Sequence, residues 1–93
     1  MDNRTKMFYL LEQHQLGNYD TTAFADEFTV AWIDNYSEGL TEEEIMLLGS
    51  LTRITGRFSQ YEDDHKYMPG VYFTEQDVRN KATEVYQQLI GTK

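Results

Sequence analysis

The sequence predicts an all-α fold: one compact four-helix bundle spanning residues 1–93, with a long acidic and aromatic loop between its third and fourth helices. Three observations lead there. Apolar residues recur at intervals of three and four in four separate stretches, the spacing that lines one face of an α-helix. Helix-breaking residues are sparse, since Pro69 is the only proline and Gly17, Gly39 and Gly70 fall between the periodic stretches. A chain of 93 residues has room for one core, and with 40% hydrophobic and 14% aromatic residues it has the apolar content to build it.

The first helix is expected from about Asn3 to Leu16, with Met7, Leu10 and Leu11 on one stripe and Gly17-Asn18 suited to the left-handed residue that closes a helix. Asp20 can cap a second helix, in which Phe24, Phe28, Ala31, Trp32 and Tyr36 form the strongest amphipathic stripe of the chain. That stripe assigns Trp32 to the core. Ser37-Glu38-Gly39 ends the helix, and Thr41-Glu42-Glu43-Glu44 reads as a capping box in which the Thr41 hydroxyl and the Glu44 carboxylate satisfy backbone amides reciprocally.

The third helix turns Ile45, Leu48, Leu51, Thr55 and Phe58 inward and leaves Arg53 and Arg57 to solvent, with Gly49 and Gly56 marking close contacts between helices. From Ser59 to Phe73 the periodicity disappears, and carboxylates mix with Tyr61, Tyr67, Tyr72 and Phe73. A loop this long in a small domain is often functional. Thr74, with Asp77 three residues on, opens a fourth helix bearing Val78, Ala82, Val85 and Leu89 and ending at Gly91.

Sixteen Asp and Glu against eight Lys and Arg give a net charge of −8. Such a surface repels nucleic-acid phosphates and anionic lipid and attracts basic surfaces over a distance, beside its plain role in solubility. Cysteine is absent, so packing alone must stabilise the fold. The polar start Met1-Asp2-Asn3-Arg4-Thr5-Lys6 and the short apolar patch after it carry neither a signal-peptide core nor a spanning segment, so a cytoplasmic location is expected.

Catalysis is not expected. The only imidazoles are His14 and His65, which no spacing joins, and no phosphate-binding glycine loop or nucleophile elbow occurs. Glu62-Asp63-Asp64-His65 lacks the spacing of a metal site, so neither a metal nor another cofactor is expected. The same run suits a cationic protein surface better, because carboxylates pair with arginine and tyrosine brings contact area at low entropic cost. The candidate partner-binding residues are therefore Tyr61, Glu62, Asp63, Asp64 and Tyr67, joined by Glu42 and Glu43, which as first-turn acids also have an ordinary capping explanation. Tyr72 and Phe73 are assigned to packing beside the cap of the fourth helix.

The order of these features, from Tyr9-Leu10-Leu11 through Asp20-Thr21-Thr22-Ala23-Phe24 and Leu40-Thr41 to Arg57-Phe58, the acidic loop, Tyr72-Phe73 and the closing helix from Thr74, resembles the colicin D-type immunity proteins of bacteria and their relatives in contact-dependent inhibition systems. Gly56 and Tyr61 depart from the acidic or proline residues which that pattern favours there. The resemblance implies a four-helix protein whose acidic surface, near the end of the third helix and in the following loop, occupies the basic cleft of a tRNA-cleaving toxin in a one-to-one complex. It implies no direct nucleic-acid or membrane contact. Tyr67-Met68-Pro69 is also similar to the tyrosines ahead of a proline in the immunity proteins of DNase colicins. A regulatory interaction module of the phage or antitoxin kind is a further alternative.

Overall fold

Helix α1 (Asn3–Gln15) begins a chain whose computed structural model describes residues 3–35 and 39–91. It is followed by α2 (Thr21–Asn35), α3 (Glu42–Thr55), the short α4 (Glu62–Tyr67) and α5 (Glu75–Tyr86), which a π-helical turn (Gln87–Gly91) prolongs. Among the described residues there is no strand, only one isolated bridge, so the all-α expectation holds. Tyr36, Ser37 and Glu38 of the expected break after α2, and Met1 and Asp2 at the N-terminus, lie outside the described residues.

The helix signals act as elementary physics requires. Asp20 accepts the Ala23 amide at 2.8 Å and so caps α2. Thr41 with Glu44, and Thr74 with Asp77, form complete capping boxes at the starts of α3 and α5. Gly17 sits at φ +81° just beyond α1, a conformation that a side chain would strain.

Helix α1 packs on α2, α2 on α3, α3 on α5, and α5 back on α1, which closes a ring around one core. Met7, Leu10, Leu11, Phe24, Phe28, Leu48, Leu51, Val78 and Val85 are almost wholly buried there, each contributing about 1.5–3 kcal/mol of transfer free energy. Trp32 is half-buried against this core, with its indole lying across Gly49 of α3, where a Cβ would meet the ring at 2.9 Å. Thr29 and Thr55 share a 2.7 Å hydroxyl contact further along the same seam, so α2 and α3 run antiparallel.

Polar clamps fix the ring where the sequence gives no warning. Arg4 forks onto Glu44 with bonds of 3.1 and 2.7 Å and lies 4.6 Å over the Phe8 ring, tying the start of α1 to the start of α3. The guanidinium hydrogen bonds, helped by the Thr41 amide, hold the Glu44 carboxyl below its ordinary pKa against the opposing effect of burial. His14 of α1 is buried, stacks on Phe24 at 4.3 Å and meets the Thr21 hydroxyl at 3.2 Å. Thr21 in turn donates to Glu75 at the start of α5.

Two expectations are corrected. Helix α3 stops at Thr55, so Phe58 is not a helical residue but pairs with Phe73 in the isolated bridge. The segment 59–73 is not helix-free either, because α4 forms inside it.

Candidate functional site

The segment between Arg57 and Phe73 is a closed excursion from the helical body. The Phe73 amide donates to the Arg57 carbonyl at 2.8 Å and the Ser59 amide to the Phe73 carbonyl at 3.1 Å, so the two ends are pinned together. Within the loop, buried Ser59 organises the chain. Its hydroxyl donates to Asp64 and accepts the Tyr61 amide, and its carbonyl accepts from His65 Nε2 at 2.9 Å.

This arrangement replaces a capping box. Tyr61 is the N-cap of α4 and offers no side-chain bond to the helix amides. Ser59 satisfies the Tyr61 amide from two residues upstream, while Asp64, three residues after the cap, receives the serine hydroxyl. The charge order of α4 assists, with Glu62, Asp63 and Asp64 in its first turn and His65 and Lys66 in its last. The His65 ring stands edge-on to Tyr72, which is half-buried like Phe73.

No residue of α4 is buried, and the segment therefore displays its side chains. Tyr61 is 63% exposed and Tyr67 72%, with Met68 and Val71 also open. Glu62 and Asp63 point to solvent between the two tyrosines, while Asp64 is half-buried and engaged by Ser59. Lys66 lies 5.5 Å over the Tyr67 ring, a contact that stiffens the tyrosine without neutralising the neighbouring acids.

Beside this loop an open cleft of about 850 Å³ runs between the N-termini of α2 and α5, walled by Phe58, Asp20, Asp26, Glu62 and Glu75. Thr22 bonds Gln60 across it at 3.2 Å. Asp20 is occupied in capping α2, and Glu75 accepts from Arg79 and Thr21. Those two donors, Arg79 first, hold the Glu75 carboxyl below its ordinary pKa. Asp26, Asp20 and Glu75 were not singled out as partner-binding residues by the sequence, because only the folded chain brings them beside Glu62.

Of the seven residues expected to bind a partner, Tyr61, Glu62, Asp63, Asp64 and Tyr67 are gathered on the α4 loop. Glu42 and Glu43 are exposed but stand at the far end of α3. A helix of 14 residues separates its ends by about 20 Å at 1.5 Å per residue. The acidic surface thus has two separate parts.

The α4 loop displays groups suited to ionic and aromatic contact. His65 Nε2 is held by the Ser59 carbonyl, and His14, buried under Phe24, meets the Thr21 hydroxyl. Among the described residues no group of three His, Asp or Glu side chains is placed to hold a metal ion, and no helix is long and apolar enough to cross a membrane. Comparison with protein-family models, with curated proteins and with solved structures finds no match to this chain.

Proposed function

We propose that this chain is an immunity protein, a cytoplasmic inhibitor built as a four-helix bundle of α1, α2, α3 and α5, that protects its host from a tRNA-cleaving bacterial toxin. It acts by binding, not by catalysis, and needs no cofactor. The α4 loop and the adjoining cleft enter the basic active site of the toxin, and their carboxylates take the place of the RNA phosphates.

One observation supports this reading above the others: Glu62 and Asp63 are displayed between Tyr61 and Tyr67 on a loop that Ser59 and the Phe58–Phe73 bridge hold in place. Preorganised tyrosines and carboxylates bind a guanidinium-rich surface without a large ordering cost. The net charge of −8 adds long-range steering toward such a partner. The resemblance to colicin D-type immunity proteins supplies the toxin class.

The exposure of Tyr67 and Met68 directly before Pro69 favours a second reading, a DNase-colicin type of immunity protein. Capture of partners from producer-cell lysate on the immobilised protein, with salt elution and mass identification, separates the two. A basic nuclease whose cleavage of tRNA stops on addition of this chain is the expected result. Inhibition of a DNase selects the second reading, and capture of only neutral partners without nuclease activity removes both in favour of a regulatory module.

A further inference from the structure

The last turn of α1 is held down by a buried histidine. His14 is 7% exposed, stacks on Phe24 of α2 at 4.3 Å, and its Nε2 meets the Thr21 hydroxyl at 3.2 Å. Thr21 donates its own proton to Glu75 Oε2 at 3.1 Å, so it can only accept from the ring, and Nε2 carries the hydrogen. Nδ1 is then a bare lone pair, buried and without a hydrogen-bond partner. Arg79 donates to the same Glu75 oxygen, and the chain of contacts runs from α1 through α2 to α5.

A proton taken up at Nδ1 finds no acceptor there. Burial acts first against the charged ring, Arg79 next, and Glu75 pulls the other way. Among the described residues, the charges that act on the ring are thus both on α5, and they are already paired with each other; α2 presents the Phe24 ring and the Thr21 hydroxyl. A buried, unpartnered N–H⁺ is costly enough that the ring must reach water to keep its proton.

The way out is short. His14 lies one residue before the end of α1 at Gln15, and beyond it Leu16 is 62% exposed and Gly17 takes φ +81°. The amides of Leu16, Gly17 and Asn18 close this turn on the carbonyls of Glu12, His14 and Gln13, while the α1 core residues Met7, Leu10 and Leu11 lie earlier in the helix. The turn can open locally and leave the core packed.

We propose that His14 is a pH-operated latch: proton uptake at Nδ1 swings the ring out, opens the last turn of α1 and frees Thr21 and Glu75, while the helical core stays folded. Thr21 and Glu75 both line the cleft beside the α4 loop, so mild acid loosens one wall of that cleft. A consequence for toxin binding rests on the proposed function, whereas the latch itself does not.

The test is amide hydrogen exchange and histidine-ring NMR on the isotope-labelled protein between neutral pH and about pH 5. At neutral pH the His14 ring is expected as the Nε2–H tautomer. Below 6.5, the ordinary histidine value, the protection factors of Leu16, Gly17 and Asn18 should fall about tenfold per pH unit until the closed form itself binds the proton. Amide shifts at Thr21 and Glu75 track the loss of the closed form, and Leu48 and Leu51 keep their protection. His14→Gln and His14→Phe both remove the titration and should make the protection of residues 16–18 independent of pH; two variants keep the result readable if one fails to fold. An Nδ1–H tautomer, constant protection at residues 16–18 in the unaltered chain, the same fall in a folded variant, or an equal fall at Leu48 and Leu51 overturns the latch. None of these readings involves the toxin, so the latch and the inhibitor reading can fail separately.

Discussion

Replacing Ser59 by alanine removes a single buried hydroxyl, and the consequence for the α4 loop is calculable. Two bonds disappear, one donated to the Asp64 carboxylate and one accepted from the Tyr61 amide. A bond to a charged group contributes about 1.5–3 kcal/mol and a neutral one about 0.5–1.5 kcal/mol. Asp64 is half-buried and Tyr61 exposed, so water restores part of both, and about 2 kcal/mol of local stability is lost. The His65 bond survives because it uses the serine carbonyl.

Helix α4 has six residues and none buried, far below the length at which a helix persists alone. Its order depends on these anchors, and a loss of about 2 kcal/mol raises the open population about thirtyfold. Native-state hydrogen exchange reads this directly. The Asp64 and Met68 amides, which donate within the α4 segment, should exchange about thirty times faster in Ser59→Ala, whereas the amides of Leu48 and Leu51 keep their rates. Unchanged exchange at Asp64 and Met68 would refute the reasoning, and equal acceleration in α3 would show that the loop opens only with the whole domain.

Three further outcomes are expected. In Gly49→Ala the new Cβ meets the Trp32 ring at 2.9 and 3.1 Å; overpacking of about 1–3 kcal/mol outweighs a helix gain of about 1 kcal/mol, so thermal denaturation followed by Trp32 fluorescence should show a melting temperature several degrees lower. Glu44→Gln breaks the charged fork with Arg4 and should cost about 1–2 kcal/mol in urea unfolding at pH 7; because the Glu44 pKa is lowered in the fold, that advantage fades as pH drops through and below the ordinary carboxylate value. Thr21 donates its hydroxyl to Glu75, so His14 Nε2 carries the proton and the buried Nδ1 is left without a hydrogen-bond partner. Burial first, and the positive charge of Arg79 next, lower the His14 pKa from 6.5 against the pull of Glu75. The unfolded chain therefore binds the extra proton more readily, and stability measured by denaturant titration should be complete above pH 6.5 and decline as pH falls through it, less steeply in His14→Phe.

The helices were legible because their signals are local. Phe24, Phe28 and Ala31 announce α2 by spacing, and Thr41 with Glu44 or Thr74 with Asp77 marks a start by chemistry that acts over three residues. The α4 loop was legible only as a concentration of acids and tyrosines. Its helix is too short for a periodic pattern, and its anchor pairs Ser59 with Asp64 at a separation that matches no capping motif. The Phe58–Phe73 bridge, the fork of Arg4 on Glu44 and the cleft joining Asp20, Asp26, Glu62 and Glu75 depend on residues distant in the chain. The separation of Glu42 and Glu43 from the loop was available from the length of α3 alone.

The most direct measurement of the central claim is the association rate of the captured nuclease domain with the unaltered protein and with Glu62→Lys/Asp63→Lys, followed by stopped-flow fluorescence of Trp32 from low to high salt. This pair leaves Asp64, and with it the Ser59 anchor, intact. Steep slowing with salt for the unaltered chain, and association at least ten times slower for the variant at low salt, is the expected result. Equal rates for the two proteins at every salt concentration would contradict the claim that the α4 loop docks on a basic active site.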